Sequence, residues 1–157
     1  MKVSKLSLIA ILLWLITVAV AAWFFVRGNT TQGTDGRTAI VLQANERDLV
    51  LAEMRGLLLA THDILDGLNK NDMKQVAQAA RSGGMGAAAD LDPGLMAKLP
   101  ISFKQLGMTV HHSMDDIAKA AENGQQSAEI SGMLTQTLSN CIACHGSWQL
   151  QTASQTH

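Results

Sequence analysis

The only two cysteines of this chain stand three residues apart, and a histidine follows the second directly. The segment reads Cys141-Ile142-Ala143-Cys144-His145. On a helix, residues three and four apart share a face, so both thiols and the imidazole would meet one ligand. This pattern is typical of covalent c-type haem attachment, in which the thiols add to the two vinyl groups of a porphyrin and the histidine binds the iron.

Three other kinds of site use a Cys-x-x-Cys pair: a structural disulfide, a thioredoxin-like redox pair and half of a zinc site. A thioredoxin-like pair follows a strand and opens a helix, whereas Cys141 and Cys144 end a long helical pattern in a chain with no convincing strand. A structural zinc site commonly draws its four ligands from two clusters, and the sequence has no second cluster. Haem attachment is the favoured interpretation, and a thiol-disulfide pair is the alternative without haem.

The N-terminal region has the length and composition of a membrane span. Residues 6–26 carry no charge, and at about 1.5 Å per residue one helix of them can cross a hydrocarbon core of about 30 Å. Two lysines precede this segment and Arg27 follows it, a slight bias that predicts a cytoplasmic N-terminus. Ala19-Val20-Ala21 also fits a signal-peptide cleavage site. The apolar run continues beyond that site, which favours a retained signal anchor over cleavage.

Composition divides the chain into four parts. Residues 1–27 are predicted to form the signal anchor, 28–37 a flexible tether, 38–150 a haem domain and 151–157 a C-terminal tail. The tether is predicted from the small polar run GNTTQGTDGR. Beyond residue 27 the formal charge is −4, from nine basic and thirteen acidic residues. Such a surface suggests neither nucleic acid nor an anionic membrane as a partner.

Apolar residues that recur three and four positions apart predict four helices after the tether. They are predicted over residues 38–69, 73–81, 100–122 and 127–148, with one more helical turn near residues 95–99. On the first of them the predicted inward residues are Val50 or Leu51, Met54, Leu58, Thr61, Leu65 and Leu68. The expected fold is therefore all-α, an antiparallel four-helix bundle with an N-terminal transmembrane helix.

A haem-attachment motif at the C-terminal end of the last of four helices resembles the class II c-type cytochromes, that is, cytochrome c′ and its low-spin relatives. The resemblance covers about residues 38–150, and its specific part is the motif together with its position. It implies one covalent haem c attached through Cys141 and Cys144, with His145 as the proximal iron ligand. In the low-spin branch a methionine on the first helix is the distal ligand, a role that the resemblance implies for Met54. The membrane anchor departs from the usual soluble periplasmic member.

The helical face that a side chain shares with its neighbours separates the other possible ligands. His111 is the best alternative iron ligand, although a hydrogen-bonded boundary histidine is the simpler interpretation. His62, His112 and Met108 are predicted to face solvent. Arg47 and Arg55, near Met54 on the same helix, suit haem propionates but equally suit neighbouring aspartates.

The resemblance implies an electron carrier and not an enzyme. The expected role is one-electron transfer at the periplasmic face of the bacterial cytoplasmic membrane, with redox proteins of a respiratory or other electron-transfer chain as partners. The alternative is a five-coordinate haem that binds nitric oxide or carbon monoxide, with an apolar Leu51 or Leu58 over the distal iron face. Cleavage of the N-terminal segment would make the protein soluble in the periplasm. Class II relatives are often dimers, which leaves a homodimer open.

Overall fold

The computed structural model describes residues 4–89 and 91–153, which are mostly helical. The elements are α1 (Lys5–Arg27), β1 (Thr30–Gln32), β2 (Thr38–Leu42), α2 (Ala44–Lys70), α3 (Met73–Ser82), a 3-10 helix (Met85–Ala88), α4 (Pro93–Lys98), α5 (Ile101–Glu122), α6 (Ser127–Ser147) and β3 (Trp148–Thr152). The prediction of a mainly helical chain with one apolar N-terminal helix is confirmed.

Helix α1 is long enough and apolar enough to cross a membrane. Its N-terminus is capped by Ser4, whose Oγ accepts a hydrogen bond from the backbone N–H of Ser7 (3.1 Å). None of its residues is buried against the rest of the protein, and Arg27 places a positive charge in its last turn. The helix therefore presents an uninterrupted apolar surface to its surroundings.

A small sheet occupies part of the predicted tether and the end of the chain. Its strand order is β1-β2-β3, with β1 antiparallel to β2 and β2 parallel to β3. Thr38 lies opposite Trp148 and Leu42 lies opposite Thr152. The expectation of a chain without strands is wrong here. The β-branched run of β2 buries Ala39, Ile40 and Leu42 in a strand instead of beginning the first helix, which starts only at Ala44.

The helices pack in sequence: α2 against α3, α3 against α5, and α5 against α6. Two buried clusters result. The upper cluster joins α2, α3, α5 and α6, and its largest members are Ile64, Val76, Met114, Ile117, Ile130 and Leu134. The base cluster joins β2, α4 and the first turns of α2 and α5, and consists of Ile40, Leu42, Val50, Leu95, Leu99 and Phe103.

The core-facing side of α2 differs from the predicted one. Ala60, Ile64 and Gly67 are buried against α3, whereas Leu58 is 70% and Leu65 44% exposed. A Cβ atom on Gly67 would lie 2.8 Å from Val76 Cγ2, so α2 and α3 approach through small residues. The prediction that Leu58 and Leu65 face the core was wrong. The close contact with α3 involves the small-residue side of α2, so these two leucines lie beside the contact and stay exposed to solvent.

Candidate functional site

The predicted attachment residues lie on the last turns of α6. Cys141 and Cys144 are half-buried free thiols, and His145 is exposed. Cys141 packs against the upper cluster and Cys144 against the base cluster. The end of α6 therefore lies between the upper cluster and the base cluster, and it carries the three potential ligand-binding side chains.

A cleft runs between α2 and this end of α6, formed by two adjoining cavities. The larger one, about 870 Å³ with its solvent-open mouth, is lined by Leu51, Met54, Leu58, Leu138, Cys141 and His145 among others. The smaller, about 510 Å³ with its open part, is lined by Leu51, Met54, Phe103, Cys144, His145 and Trp148 among others. Met54 and His145 line both cavities, so the cleft brings together all four residues predicted for the site. We refer to it as the α2–α6 cleft.

Most residues that line the larger cavity of this cleft are apolar. Leu58 on α2 is 70% exposed, and Ile142, which lies between the two cysteines, is 73% exposed. Because Leu58 lines the larger cavity, it is apolar surface that a large apolar ligand would remove from water. The residues present thus fit a porphyrin: apolar walls, two thiols, an imidazole and a thioether.

Burial raises the pKa of both the Cys141 and the Cys144 thiols, and for Cys144 the neighbouring Cys141 adds to the effect. Catalytic dithiols have the opposite property, because a lowered pKa makes the thiolate that attacks a disulfide. They also commonly sit at helix N-termini, whereas these thiols end a helix. The environment therefore favours protonated, inert thiols over a redox-active pair.

Two guanidinium groups lie at the mouth of the smaller cavity, those of Arg37 and Arg47. Arg37 Nη1 donates to the backbone oxygen of His145 (3.2 Å), and Arg37 Nη2 lies 2.6 Å from Asp35 Oδ2. Hydrogen bonds from the guanidinium and from the backbone N–H of Arg37 to the Asp35 carboxylate lower the pKa of Asp35. Arg37 caps the C-terminal carbonyls of α6 and puts positive charge where a carboxylate-bearing ligand would place its acidic groups.

Sequence reasoning missed Arg37, which it assigned to a flexible tether. The residue reaches His145 because β2 pairs with β3 directly after α6. The available signal was the β-branched run at residues 38–42 and the alternation Trp-Gln-Leu-Gln-Thr at 148–152. Phe103 and Trp148, whose ring centroids lie 6.2 Å apart in an edge-on contact, were likewise not assigned to the site. Arg55, considered for propionates, lines the larger cavity.

His111 is buried away from the α2–α6 cleft. Its Nε2 lies 2.8 Å from Glu53 Oε1 and its Nδ1 lies 2.8 Å from the backbone oxygen of Gly83. A carbonyl oxygen and a carboxylate only accept hydrogen bonds, so both contacts are satisfied together only when both ring nitrogens carry a proton. Both nitrogens are thus engaged in joining α2, α5 and the end of α3. Of the other residues predicted to face solvent, His62 and His112 are exposed and Met108 is half-buried.

We expect stability to depend on the protonation of His111. The hydrogen bond to Glu53 raises the pKa of His111 above its ordinary value of 6.5. Its contribution is therefore complete below pH 6.5 and is lost as pH rises through the raised folded-state pKa. His111→Gln should cost about 1.5–3 kcal/mol at pH 6 and flatten the fall in stability above neutrality, measured by urea unfolding across pH. His62→Gln, at an exposed position, is the control. Equal pH slopes for the wild-type protein and His111→Gln would contradict this assignment.

A scan against protein-family models and searches of curated proteins and of solved structures found no match to the chain. Within residues 4–89 and 91–153, no group of three or more His, Cys, Asp or Glu side chains is placed to hold a metal ion. The pair of iron-binding atom types that the cleft does bring together is the imidazole of His145 and the thioether of Met54.

Proposed function

We propose that this chain is a membrane-tethered c-type cytochrome that holds one covalent haem c in the α2–α6 cleft and transfers single electrons. The observation that carries the proposal is that Cys141, Cys144 and His145 on α6 line one apolar cleft together with Met54 on α2. The thiols would fix the macrocycle, His145 would be the proximal iron ligand and Met54 the distal one. Bound haem supplies an iron that gains and loses one electron at a potential set by the protein.

The fold assignment that accompanies this function is an antiparallel four-helix bundle of α2, α3, α5 and α6. It is supported by the packing of these helices in sequence and by the cleft between the first and the last of them. The four helices of this bundle would be unequal in length, because α3 has only ten residues. The 3-10 helix and α4 then carry the chain back to the start of α5.

The residues around the cleft would contribute to electron transfer in different ways. The base cluster and Trp148 exclude water from one side, which stabilises the less charged state of a redox centre. The thioether of Met54 would supply a second iron ligand, which would raise the potential and leave no place for an exogenous ligand. Arg37 and Arg47, which line the smaller cavity, would offset the charge of carboxylates on a bound ligand.

A second candidate function is a five-coordinate haem that binds nitric oxide or carbon monoxide. One observation favours it, since Leu51 lines both cavities beside Met54 and would leave the distal position open if it faced the iron. In that protein Met54 packs against the macrocycle without binding the metal.

We assign α1 as a retained signal anchor that crosses the bacterial cytoplasmic membrane once, with the folded domain in the periplasm. Support comes from its apolar length, and covalent haem attachment of this type takes place on the outer side of that membrane. Redox proteins of a respiratory or other electron-transfer chain are the proposed partners.

The reduced absorption spectrum, recorded with and without carbon monoxide, tests the proposal. We expect a low-spin haem spectrum that carbon monoxide leaves unchanged, because two protein ligands occupy the axial positions. A high-spin spectrum that shifts with carbon monoxide would move the assignment to the five-coordinate function. Purified protein without haem absorbance would overturn both.

A further inference from the structure

Backbone hydrogen bonds fix the junction between α1 and the folded domain. The N–H of Gly28 donates to Phe24 O at the end of α1 (2.8 Å), and the next residue, Asn29, donates its N–H to Lys98 O (2.7 Å). Two further hydrogen bonds, both of 2.8 Å, join Asn29 to β2. Its side-chain Nδ2 donates to Val41 O, and its backbone oxygen accepts from the Val41 N–H. The chain thus leaves α1 and enters the domain within two residues, instead of through a free tether.

Contacts on both sides of this junction hold α1 against the start of α5. Gly28 has φ +65°, and a Cβ there would lie 2.5 Å from Lys98 O and 2.6 Å from Pro100 N, so only glycine fits. The ammonium of Lys104 lies 4.2 Å from the ring centroid of Phe25, in the last turn of α1. The direction of α1 is therefore coupled to the base of the domain.

The Cys141–His145 site lies at this same end of the domain. Phe103, which contacts Trp148 and lines the cleft with Cys144, is three residues beyond Pro100, or about 5 Å along α5. The sheet strengthens the link, because β1 follows α1 and β3 follows α6. The headgroup layer of one leaflet is about 5–8 Å thick. A bilayer spanned by α1 would therefore begin close beneath the site.

We propose that the base of the domain rests on the lipid headgroups of the membrane, with the Cys141–His145 site held at that surface. The inference depends on the proposed membrane span of α1. Arg27 and Lys104 place positive charge at this base although the domain as a whole is acidic. The C-terminal end of α2 lies about 40 Å along that helix from its start near the base, at 1.5 Å for each of its 27 residues. If the site carries haem, its electron partner is one that presents its own redox centre at the membrane surface.

Lipid photo-crosslinking of the full chain tests this placement. A benzophenone amino acid replaces one exposed serine at a time, in nanodiscs of phosphatidylethanolamine and phosphatidylglycerol. Ser102 in the first turn of α5 and Ser147 at the end of α6 report on the base, and Ser131 near the start of α6 reports on the far end. We expect lipid adducts from the probes at 102 and 147 and none from the probe at 131, measured by mass spectrometry.

A matched pair of glycine variants tests whether the junction between α1 and the domain sets the orientation of the domain on the membrane. Gly28→Ala places a Cβ against Lys98 O and should abolish the adducts at 102 and 147. Gly36→Ala has the same kind of backbone strain, φ +87°, but its Cβ meets no atom within 4 Å, so the adducts should persist. Circular dichroism of both variants verifies that the helices remain.

Equal adduct yields at all three positions would overturn the docking of the base, as would persistence of the adducts in Gly28→Ala. Failure of the chain to enter nanodiscs would overturn the membrane span and the inference with it. Haem content of the same samples, read from their absorbance, tests the proposed cofactor separately, because lipid adducts form whether or not haem is bound.

Discussion

Met54→Leu should convert the reduced protein from a low-spin form that does not bind carbon monoxide into a form whose haem binds it. Leucine retains the volume and apolar character of the side chain, so the fold should lose less than about 1.5 kcal/mol. It cannot donate a sulfur lone pair, and the distal axial position would open. The reduction potential should also fall, within the span of roughly 0.8 V over which axial ligands set haem potentials. Absorption spectroscopy and redox titration measure both effects.

Met96→Leu is the matched control for this change. Met96 packs against the base cluster, as Met54 does, but lies outside the residues that line the α2–α6 cleft. Its replacement should leave the spectrum and the potential as in the wild-type protein. If Met54→Leu also left both unchanged, Met54 would be a packing residue, and Leu51 would be the next side chain to test over the distal face.

Replacing both Cys141 and Cys144 by serine should eliminate covalent haem altogether. A hydroxyl forms no thioether with a vinyl group, and His145 with Met54 alone would hold the group only reversibly. Haem stain after denaturing electrophoresis should therefore fall from one equivalent per chain to none. Because both thiols are only half-buried, serine should be tolerated without loss of the helical fold.

Ala143→Ser serves as the control, because Ala143 lies between the two cysteines and is exposed. It introduces the same hydroxyl into the same helical turn and should retain full haem stain. Stain that persisted in the double cysteine variant would show that the band does not depend on these thiols. The attachment assignment would then fail.

The two ends of α5 and the start of α6 were predicted well from sequence, whereas the start of α2 was predicted six residues too early. Pro100 precedes α5, Gly124 with φ +73° follows it, and α6 begins at Ser127, each at the residue or within one residue of the prediction. These signals are local, since a cap or a breaker acts within one turn of its own position. The apolar periodicity likewise identified α2, although it did not determine which edge of α2 would face α3.

The sheet and the rim of the site could not be predicted in this way. Parallel pairing of β2 with β3 joins residues more than a hundred positions apart, and a five-residue strand gives little periodic signal beside long helices. Arg37 therefore had no visible relation to His145. The same limit applies to His111, whose partners Glu53 and Gly83 come from two other parts of the chain.

The proposed chemistry of the candidate site, by contrast, rests on five consecutive residues. Cys141, Cys144 and His145 needed no tertiary information to suggest a haem, since their types and spacing carry the chemistry. Met54 lies 87 positions earlier than Cys141, and its role came from resemblance to the class II c-type cytochromes. The structure shows that Met54 and His145 line the same two cavities, and the role of Met54 as a ligand stays a proposal.

The most direct test of the central claim is the intact mass of the purified, denatured chain together with a count of its free thiols. We predict a mass increased by one haem, an absorbance that travels with the polypeptide, and no free thiol. An unmodified mass with two free thiols, or with Cys141 and Cys144 joined in a disulfide, would contradict covalent haem attachment.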